Sequence, residues 1–182
     1  MLKEIICLGE GNLGRAFKSA KITTIPKSIC NVLNIDEIDA IVRKYKPGII
    51  INCTGIVGTI KCYEDESKAF AVNVSGVSNI VSVCIKHNIK LIHFSSFYTG
   101  YFNCYTKTKL IGDSIITSSR VKNLIVKLPW LYGYQNKNNF VLEALKNKRA
   151  RIYRFETGFL ALDKDVVEYG QGKRHQHLLR KY

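Results

Sequence analysis

Residues 5–14 read IICLGEGNLG, an apolar run that leads directly into three glycines, Gly9, Gly11 and Gly14. Residues 4–8 have the composition of a strand and residues 13–19 that of a helix, so the GxGxxG spacing lies in a strand–turn–helix unit. In such a unit Gly9 permits the tight turn, Gly11 lets the backbone approach a pyrophosphate, and Gly14 lets helix and strand pack closely. Free amides at the helix start, at Asn12 and Leu13, would bind the phosphates. We therefore predict a dinucleotide-binding turn; a glycine-rich turn without a ligand is the alternative.

The remainder of the chain continues the alternation of strand and helix. The pattern predicts strands at residues 21–25, 30–35, 49–51, 90–94 and 123–128, and helices at residues 36–45, 67–87, 105–117 and 140–148. The apolar run at residues 49–51 is typical of a strand buried on both faces of a parallel sheet. The fold class that follows is α/β, with a Rossmann-type doubly wound parallel sheet. We assign residues 1–135 to the dinucleotide-binding region and residues 136–182 to a residual C-terminal region that ends in a basic tail.

The composition is that of a globular protein, with 46% hydrophobic residues in 182. No segment approaches the roughly 18 uncharged apolar residues that a membrane helix needs, and the first apolar run is too short for a signal peptide. We expect a soluble cytoplasmic protein. The net charge of +14 admits a nucleic-acid partner, but the basic residues are spread along the chain and favour a solvated basic surface. A steep salt dependence of binding to short duplexes would be needed to sustain the nucleic-acid interpretation.

Six cysteines occur without a CxxC pair: Cys7, Cys30, Cys53, Cys62, Cys84 and Cys104. Several fall inside apolar runs, so we interpret them as reduced core thiols and expect neither a disulfide framework nor a metal site. The four histidines, His87, His93, His175 and His177, lie near the ends of elements or in the tail and are expected to be non-catalytic.

The segment after the second strand bears on the choice of cofactor. NAD-specific Rossmann domains usually have an acidic residue there for the adenosine ribose, whereas this chain reads IPKS at residues 25–28. Lys27 and Ser28 would suit a 2′-phosphate, which favours NADPH and leaves NADH as an alternative. Lys27 as an ordinary surface lysine is an almost equal interpretation.

A second group of residues follows the strand at residues 90–94, which we take as the fifth of the series. Tyr105 and Lys109 are four residues apart and share one face of a helix, and Ser96 lies at the strand end. A neighbouring ammonium favours the phenolate and lowers a tyrosine pKa. In this arrangement Tyr105 would donate a proton to a carbonyl oxygen that Ser96 holds, while Lys109 would also bind the nicotinamide ribose. YxxxK alone is common in helices, and its place after a Rossmann strand is what gives it weight.

With these motifs in place the chain resembles the extended short-chain dehydrogenase/reductase superfamily, and within it the dTDP-4-dehydrorhamnose reductase group. Beyond the glycine turn, the matching pieces are KPGIIINCTG at residues 46–55, AVNVSGVSN at 71–79, LIHFSS at 91–96, YTKTKLIG at 105–112, PWLYG at 129–133 and NFV at 139–141. The resemblance implies an NADPH-dependent reductase that acts on a keto group of a nucleotide-activated sugar.

The resemblance also assigns individual residues. Ser96, Tyr105 and Lys109 take the catalytic positions, and Asn73 takes the asparagine of the family's helix, which supports the site. The strand exit at Asn52, Cys53, Thr54 and Gly55 would border the cofactor. Relatives often pair through the helices that correspond to residues 67–87 and 105–117, so a homodimer is expected.

The chain departs from the family pattern in two places. Only residues 97–104 separate the serine and tyrosine motifs, where relatives have a longer loop that helps enclose the sugar. Residues from 151 onward match no segment of the group. The alternative to a reductase is therefore a non-catalytic NAD(P)-binding module with a regulatory or scaffolding role.

Overall fold

The computed structural model describes residues 4–97, 103–132 and 160–162. The chain divides into two compact units, Met1–Lys127 and Leu128–Tyr182. In the first unit the strands are β1 (Ile5–Leu8), β2 (Thr23–Ile25), β3 (Ile49–Asn52), β4 (Lys90–Ser96) and β5 (Asn123–Leu128), the last of which ends at the division. Its helices are α1 (Asn12–Ser19), α2 (Ile35–Tyr45), α3 (Thr59–Glu64), α4 (Glu66–Phe70), α5 (Gly76–Lys86) and α6 (Cys104–Thr117).

The five strands form one sheet in the order β2-β1-β3-β4-β5. The register runs parallel across the centre, with Ile6 opposite Ile50 and Ile50 opposite Leu91. A parallel connection crosses over in the right-handed sense. Since β2 lies on one side of β1 and the later strands on the other, α1 covers one face of the sheet, and α2, α5 and α6 cover the opposite face. The predicted α/β fold with a doubly wound parallel sheet is confirmed.

The face of the sheet that α2, α5 and α6 cover holds the main core. Alternate residues of the central strands, Ile6, Ile50 and Leu91, are fully buried against apolar side chains of α2 and α5. On the α1 face, Phe17 packs on Phe94 with ring centroids 5.9 Å apart. Both faces are therefore apolar, as the continuous isoleucine run of β3 predicts.

The strand order reverses at one point, between β1 and β3. The chain moves outward from β1 to β2 and then crosses back to β3, so the loops after β1 and β3 diverge at the carboxyl edge of the sheet. Open α/β sheets bind their ligands in the crevice at such a switch point. The glycine turn and the loop at residues 53–58 line that crevice.

The predicted strand at residues 30–35 is wrong. The backbone turns there instead, because Asn34 N–H donates to Asn31 O, and Asn31 N–H donates to a carboxylate oxygen of Glu37. Asn34 then caps α2 by accepting from the amide of Asp36. Local side-chain bonds satisfy the backbone that a ladder would have used. The strand before the serine and tyrosine motifs is consequently the fourth of the sheet, and not the fifth.

The predicted long helix at residues 67–87 is divided. A π-helical turn at Ala71–Ser75 separates α4 from α5, and a further short helix, α3, precedes them. By length and composition the helical run Glu66–Lys86, with a mean hydropathy of 1.4, could cross a membrane. The sequence pattern predicts no such segment. Val77, Ile80 and Cys84 of this run are instead buried in the core, as in the central helix of a globular domain.

The described part of the second unit is a pair of parallel strands, β6 (Trp130–Tyr132) and β7 (Leu160–Leu162), in which Leu131 lies opposite Ala161. The predicted helix at residues 140–148 and the basic tail at residues 170–182 lie outside the described residues.

The packing of α1 on the strand exit gives a test of the fold. A Cβ on Gly14 would lie 1.9 Å from the carbonyl oxygen of Gly9, whereas a Cβ on Gly11 would have no atom within 4 Å. We expect Gly14→Ala to lower the free energy of unfolding by about 1–3 kcal/mol, as overpacking does, and Gly11→Ala to lower it by less than about 1 kcal/mol. Urea unfolding measures both, and equal losses for the two variants would contradict this packing.

Candidate active site

The glycine turn is held by the sheet on both sides. Gly9 has φ of 99°, donates its N–H to Ile25 O at 2.9 Å, and leaves no room for a side chain, since its Cβ would lie 2.9 Å from Cys53 O. Helix α1 begins after Gly11, which caps it without a side-chain bond. The first amides of the helix have no partner within it, so they are available to an anion at the switch point.

The loop after β3 is fixed by Asn73 from the π-helical turn. The Asn73 carboxamide accepts from Ile56 N–H at 2.8 Å and donates to Ile56 O at 3.0 Å and to Thr108 Oγ1 at 3.1 Å. One side chain thus ties the loop that begins with Cys53 and Thr54 to the helix α6. Gly55 lies beside Asn73 and has a φ of 152°. A Cβ at this position would lie 3.1 Å from Asn73 Oδ1.

Ser96 and Tyr105 meet as the sequence predicts. Ser96 is the last residue of β4 and Tyr105 is the second residue of α6, and the Ser96 hydroxyl is near enough to the phenol to influence its pKa. Asn103 begins the helix with a reciprocal capping box, in which its carboxamide accepts from Thr106 N–H at 3.0 Å. The cap fixes the direction of the first turn and with it the position of the phenol.

Lys109 is buried, and its ammonium is not directed to the phenol. Nζ donates to Phe94 O at 2.7 Å and lies 3.4 Å from His93 Nε2. Burial lowers the pKa of Lys109 to about 8, against the opposing attraction of Asp113.

The expectation that Lys109 lowers the pKa of Tyr105 is wrong in this structure. Burial raises the pKa of Tyr105, while the hydrogen bond from Ser96 lowers it to a lesser degree. The cost of burying a phenolate outweighs the attraction of the Lys109 ammonium, which donates its hydrogen bond to Phe94 O. The phenol therefore stays protonated at neutral pH.

His93 connects the sheet to this lysine. Asn52 Oδ1 accepts from the amide and the hydroxyl of Thr54, so its Nδ2 faces His93 Nδ1 at 3.0 Å and donates to it. Burial and the charge of Lys109 hold the pKa of His93 well below its usual value. The neutral ring then has its proton on Nε2, toward the lysine. An ammonium at Lys109 meets that N–H group, which adds to the cost of its charge.

Asp113 completes the buried group. Its Oδ2 accepts from the Ser95 hydroxyl at 2.7 Å, whereas its Oδ1 has no hydrogen-bond partner in the described part of the chain and lies 3.9 Å from His93 Nε2, too far for a hydrogen bond. Among the described residues no group of three or more His, Cys, Asp and Glu side chains could hold a metal ion.

Lys27 lies apart from this group. It is exposed in the turn that follows β2, at the same carboxyl edge as Gly9, and that turn is closed by bonds from Ile29 and Cys30 to Pro26 O. The position suits contact with the ribose end of a dinucleotide, as the sequence indicates, and an exposed lysine without such a role equally well.

Sequence reasoning missed His93 and Asp113. Two signals point to them: Asp113 continues the spacing of Tyr105 and Lys109 by four more residues, and His93 alternates with Leu91 and Ser95 on one face of β4. His87, also predicted non-catalytic, lies away from the site and contacts Asp39 Oδ1 at 2.7 Å. His175 and His177 lie outside the described residues.

A glycine turn at the switch point of a parallel sheet, with Ser96, Tyr105 and Lys109 on β4 and α6, defines the class: a Rossmann-type α/β domain. The model of the RmlD substrate binding domain family matches residues 7–153. The chain belongs to this family.

The relatives of this chain include a dTDP-4-dehydrorhamnose reductase of Aggregatibacter actinomycetemcomitans, 25% identical over an alignment of 173 residues that covers 83% of this chain and 58% of the relative. Another is the spore coat polysaccharide biosynthesis protein SpsK of Bacillus subtilis, 22% identical over 92% of this chain and 68% of the relative. The chain spans 58% of the first of these relatives and 50% of another, a dTDP-4-dehydrorhamnose reductase of Mycolicibacterium smegmatis.

Solved structures with this fold include the dTDP-4-dehydrorhamnose reductase of Bacillus anthracis in complex with NADP, with a TM-score of 0.81 and 21% identity over 94% of this chain and 70% of that one. The enzyme WbmG of Bordetella bronchiseptica in complex with NAD has a TM-score of 0.74 and 13% identity, over 97% and 70% of the two chains. At these identities the likeness shows the fold.

The buried lysine makes stability depend on pH. The pKa of Lys109 is about 8 in the folded chain against 10.5 when exposed, so the unfolded chain binds more protons between these values and stability rises with pH there. Relative to Lys109→Met, the free energy of unfolding of the native chain should increase by about 2–3 kcal/mol from pH 8 to 10.5. Urea titrations at several pH values measure it. The exposed Lys44→Met should show a constant difference; a constant difference for Lys109→Met too would contradict the burial.

Proposed function

We propose that this chain binds NADPH at the glycine turn and reduces a keto group of a nucleotide-activated sugar, in the manner of the dTDP-4-dehydrorhamnose reductases that it resembles. The observation that supports this most directly is the position of Tyr105 beside Ser96 at the carboxyl edge of the sheet, where burial raises the pKa of the phenol and keeps it protonated. The same edge presents the glycine turn, so a proton donor and a dinucleotide site adjoin.

The residues of the turn fit a dinucleotide. The space in front of Gly11 is open, with no atom within 4 Å of a Cβ position, so a pyrophosphate can approach the amides of Asn12, Leu13 and Gly14. The loop at Cys53, Thr54 and Gly55 would border the adenosine side, with Thr54 and Asn52 already bonded to each other. When bound, the nicotinamide would supply the hydride.

The side chains would then supply the proton. Tyr105 is protonated at neutral pH because burial raises its pKa, and it would donate this proton to the carbonyl oxygen of the substrate as that oxygen gains charge. Ser96 would hold the same oxygen. Lys109 lies on the same helix face and is charged below its pKa of about 8. If its Nζ turned away from Phe94 O, it would stabilise the phenolate left behind and bind the nicotinamide ribose.

A non-catalytic NAD(P)-binding module is the second candidate. It is favoured by one observation: Lys109 Nζ donates to Phe94 O and not to the phenol or toward an open crevice. Tight NADPH binding without turnover, unchanged by Tyr105→Phe, would identify the module.

The assignment of Tyr105 gives a test by substitution. Tyr105→Phe removes the proton donor, and we expect kcat for the oxidation of NADPH with a dTDP-4-keto-6-deoxysugar to fall by about 10²–10⁴, with NADPH affinity within about threefold. Loss of absorbance of the reduced nicotinamide measures kcat, and calorimetry measures the affinity. The matched control is Tyr63→Phe, since Tyr63 is 78% exposed, and it should keep full activity. Native turnover in Tyr105→Phe would remove this residue from the reaction.

The choice of cofactor depends on Lys27. If its ammonium binds the 2′-phosphate, Lys27→Ala should raise Kd for NADPH about tenfold, which is the loss of one charge-assisted hydrogen bond, and leave Kd for NADH unchanged. Calorimetric titrations with both cofactors measure this. Lys44→Ala is the control, because Lys44 is an exposed lysine near the end of α2. An equal loss for the two cofactors would show that Lys27 does not select between them.

A further inference from the structure

One carboxylate oxygen in the buried group around Lys109 has no hydrogen-bond partner. Asp113 lies on α6, four residues after Lys109, and is buried. Its Oδ2 accepts from the Ser95 hydroxyl at 2.7 Å, whereas its Oδ1 has no partner among the residues that the structure describes. Leaving a buried carboxylate oxygen unbonded costs free energy, so this oxygen calls for a role.

The ring of His93 has a hydrogen-bond donor close to this oxygen. Asn52 Nδ2 donates to Nδ1 of the ring at 3.0 Å, so the neutral ring has its proton on Nε2. Nε2 lies 3.4 Å from Lys109 Nζ and 3.9 Å from Asp113 Oδ1. A movement of the ring by roughly 1 Å would bring Oδ1 within hydrogen-bond distance. The N–H group therefore has two neighbours that can compete for it.

The charge of Lys109 decides which neighbour accepts the N–H. A neutral amine has a lone pair and can accept from His93, whereas an ammonium has donors only. The ammonium repels the positive end of the N–H bond, so the ring turns it toward the carboxylate of Asp113. A hydrogen bond to a carboxylate is charge-assisted and stronger than one to a neutral amine. The two charge states of the lysine thus favour two positions of the ring.

Asp113 is also the anion that faces the lysine. The other ionisable groups beside Lys109 in the described ranges are uncharged at neutral pH. They are the Tyr105 phenol of α6, the Cys53 thiol after β3 and the Cys62 thiol of α3, whose pKa values are raised, and the His93 ring of β4, whose pKa is lowered. The attraction of Asp113 opposes the effect of burial, which lowers the pKa of Lys109 to about 8.

We propose that Asp113 is a positioning residue of the candidate active site, whose Oδ1 accepts the His93 Nε2–H whenever Lys109 is charged and releases it when the amine is neutral. Asp113 thereby takes the N–H away from the ammonium and keeps Lys109 charged where the reaction needs a cation near the phenolate of Tyr105. The role in turnover rests on the proposed function, whereas the movement of the ring is a property of the folded chain alone.

The ring of His93 reports this movement without reference to activity. The full chain is labelled uniformly with ¹³C and ¹⁵N, the ring is assigned through its own backbone, and long-range ¹H–¹⁵N spectra are recorded on both sides of the Lys109 pKa of about 8. We expect Nδ1 to stay unprotonated throughout, and the Nε2 signals to change with a midpoint near that pKa. Below the midpoint the Nε2–H proton should lie further downfield, as for donation to a carboxylate.

Two substitutions assign the transition to its groups. Asp113→Asn keeps the shape of the side chain and an acceptor for Ser95 but removes the charge, so the midpoint should fall by about one pH unit, as for the loss of a neighbouring opposite charge. Lys109→Met removes the titrating group and should abolish the transition. The native chain and Lys109→Met decide the matter by themselves if Asp113→Asn does not fold.

The matched control is Asp39→Asn. Asp39 is also a buried helical carboxylate, but it contacts a different histidine, His87, at 2.7 Å, and its removal should leave the midpoint of the His93 ring unchanged. A native ring that does not change with pH, a downfield proton above the midpoint in place of below it, or a native midpoint in Asp113→Asn would each overturn the proposal.

The effect on turnover is measured separately, as the pH dependence of kcat/KM for the oxidation of NADPH with a dTDP-4-keto-6-deoxysugar, which reports groups of the free enzyme. For a pKa that falls by about one unit, Asp113→Asn should be within about twofold of the native chain at about pH 7 and about fivefold slower at about pH 8. An equal loss at every pH would leave Asp113 a packing role only. If the native chain has no turnover, the reductase proposal fails, and the ring spectra still decide whether Asp113 positions His93.

Discussion

The close approach of three backbone segments at the carboxyl edge of the sheet is the constraint on which the site depends. Gly14 brings α1 against the carbonyl of Gly9, and Gly9 in turn lies against Cys53 after β3. No side chain fits between these segments, so the helix start, the first strand and the third strand keep fixed relative positions. The amides that would bind a pyrophosphate and the loop that would border it are placed by backbone packing alone.

A second constraint is the burial of Lys109. A cation in the interior is costly unless it is bonded, and here one backbone carbonyl and the neighbouring His93 ring are its contacts. Its pKa near 8 means that both charge states are accessible around neutral pH. Asn52 orients the ring of His93, and Asn52 ends the strand β3 that borders the crevice. Asn52, His93 and Lys109 therefore form a chain of contacts that connects the buried lysine with the end of β3, where the proposed cofactor loop begins.

The sequence predicts much of this because its strongest patterns are local. The glycine spacing, the isoleucine run of β3 and the i, i+4 pair on α6 each indicate one element of the fold. The turn at residues 30–35 could not be predicted, because it depends on hydrogen bonds from the side chains of Asn34 and Glu37 to the backbone. The π-helical turn at Asn73 leaves no mark on the apolar spacing. The direction of the Lys109 ammonium depends on its contact with Phe94 O of β4, which the helix spacing does not contain. The sequence therefore predicts a lowered pKa for Tyr105, whereas burial raises it.

The central claim, that the glycine turn and Tyr105 serve one bound dinucleotide, is tested most directly by a crystal structure of the chain with NADPH. The account predicts pyrophosphate oxygens at hydrogen-bond distance, about 2.7–3.2 Å, from the amides of residues 12–14. It also predicts that the nicotinamide ring lies beside the Tyr105 hydroxyl, with room for a carbonyl between them. A cofactor bound elsewhere, or a ring held away from Tyr105 while the turn is filled, would contradict it.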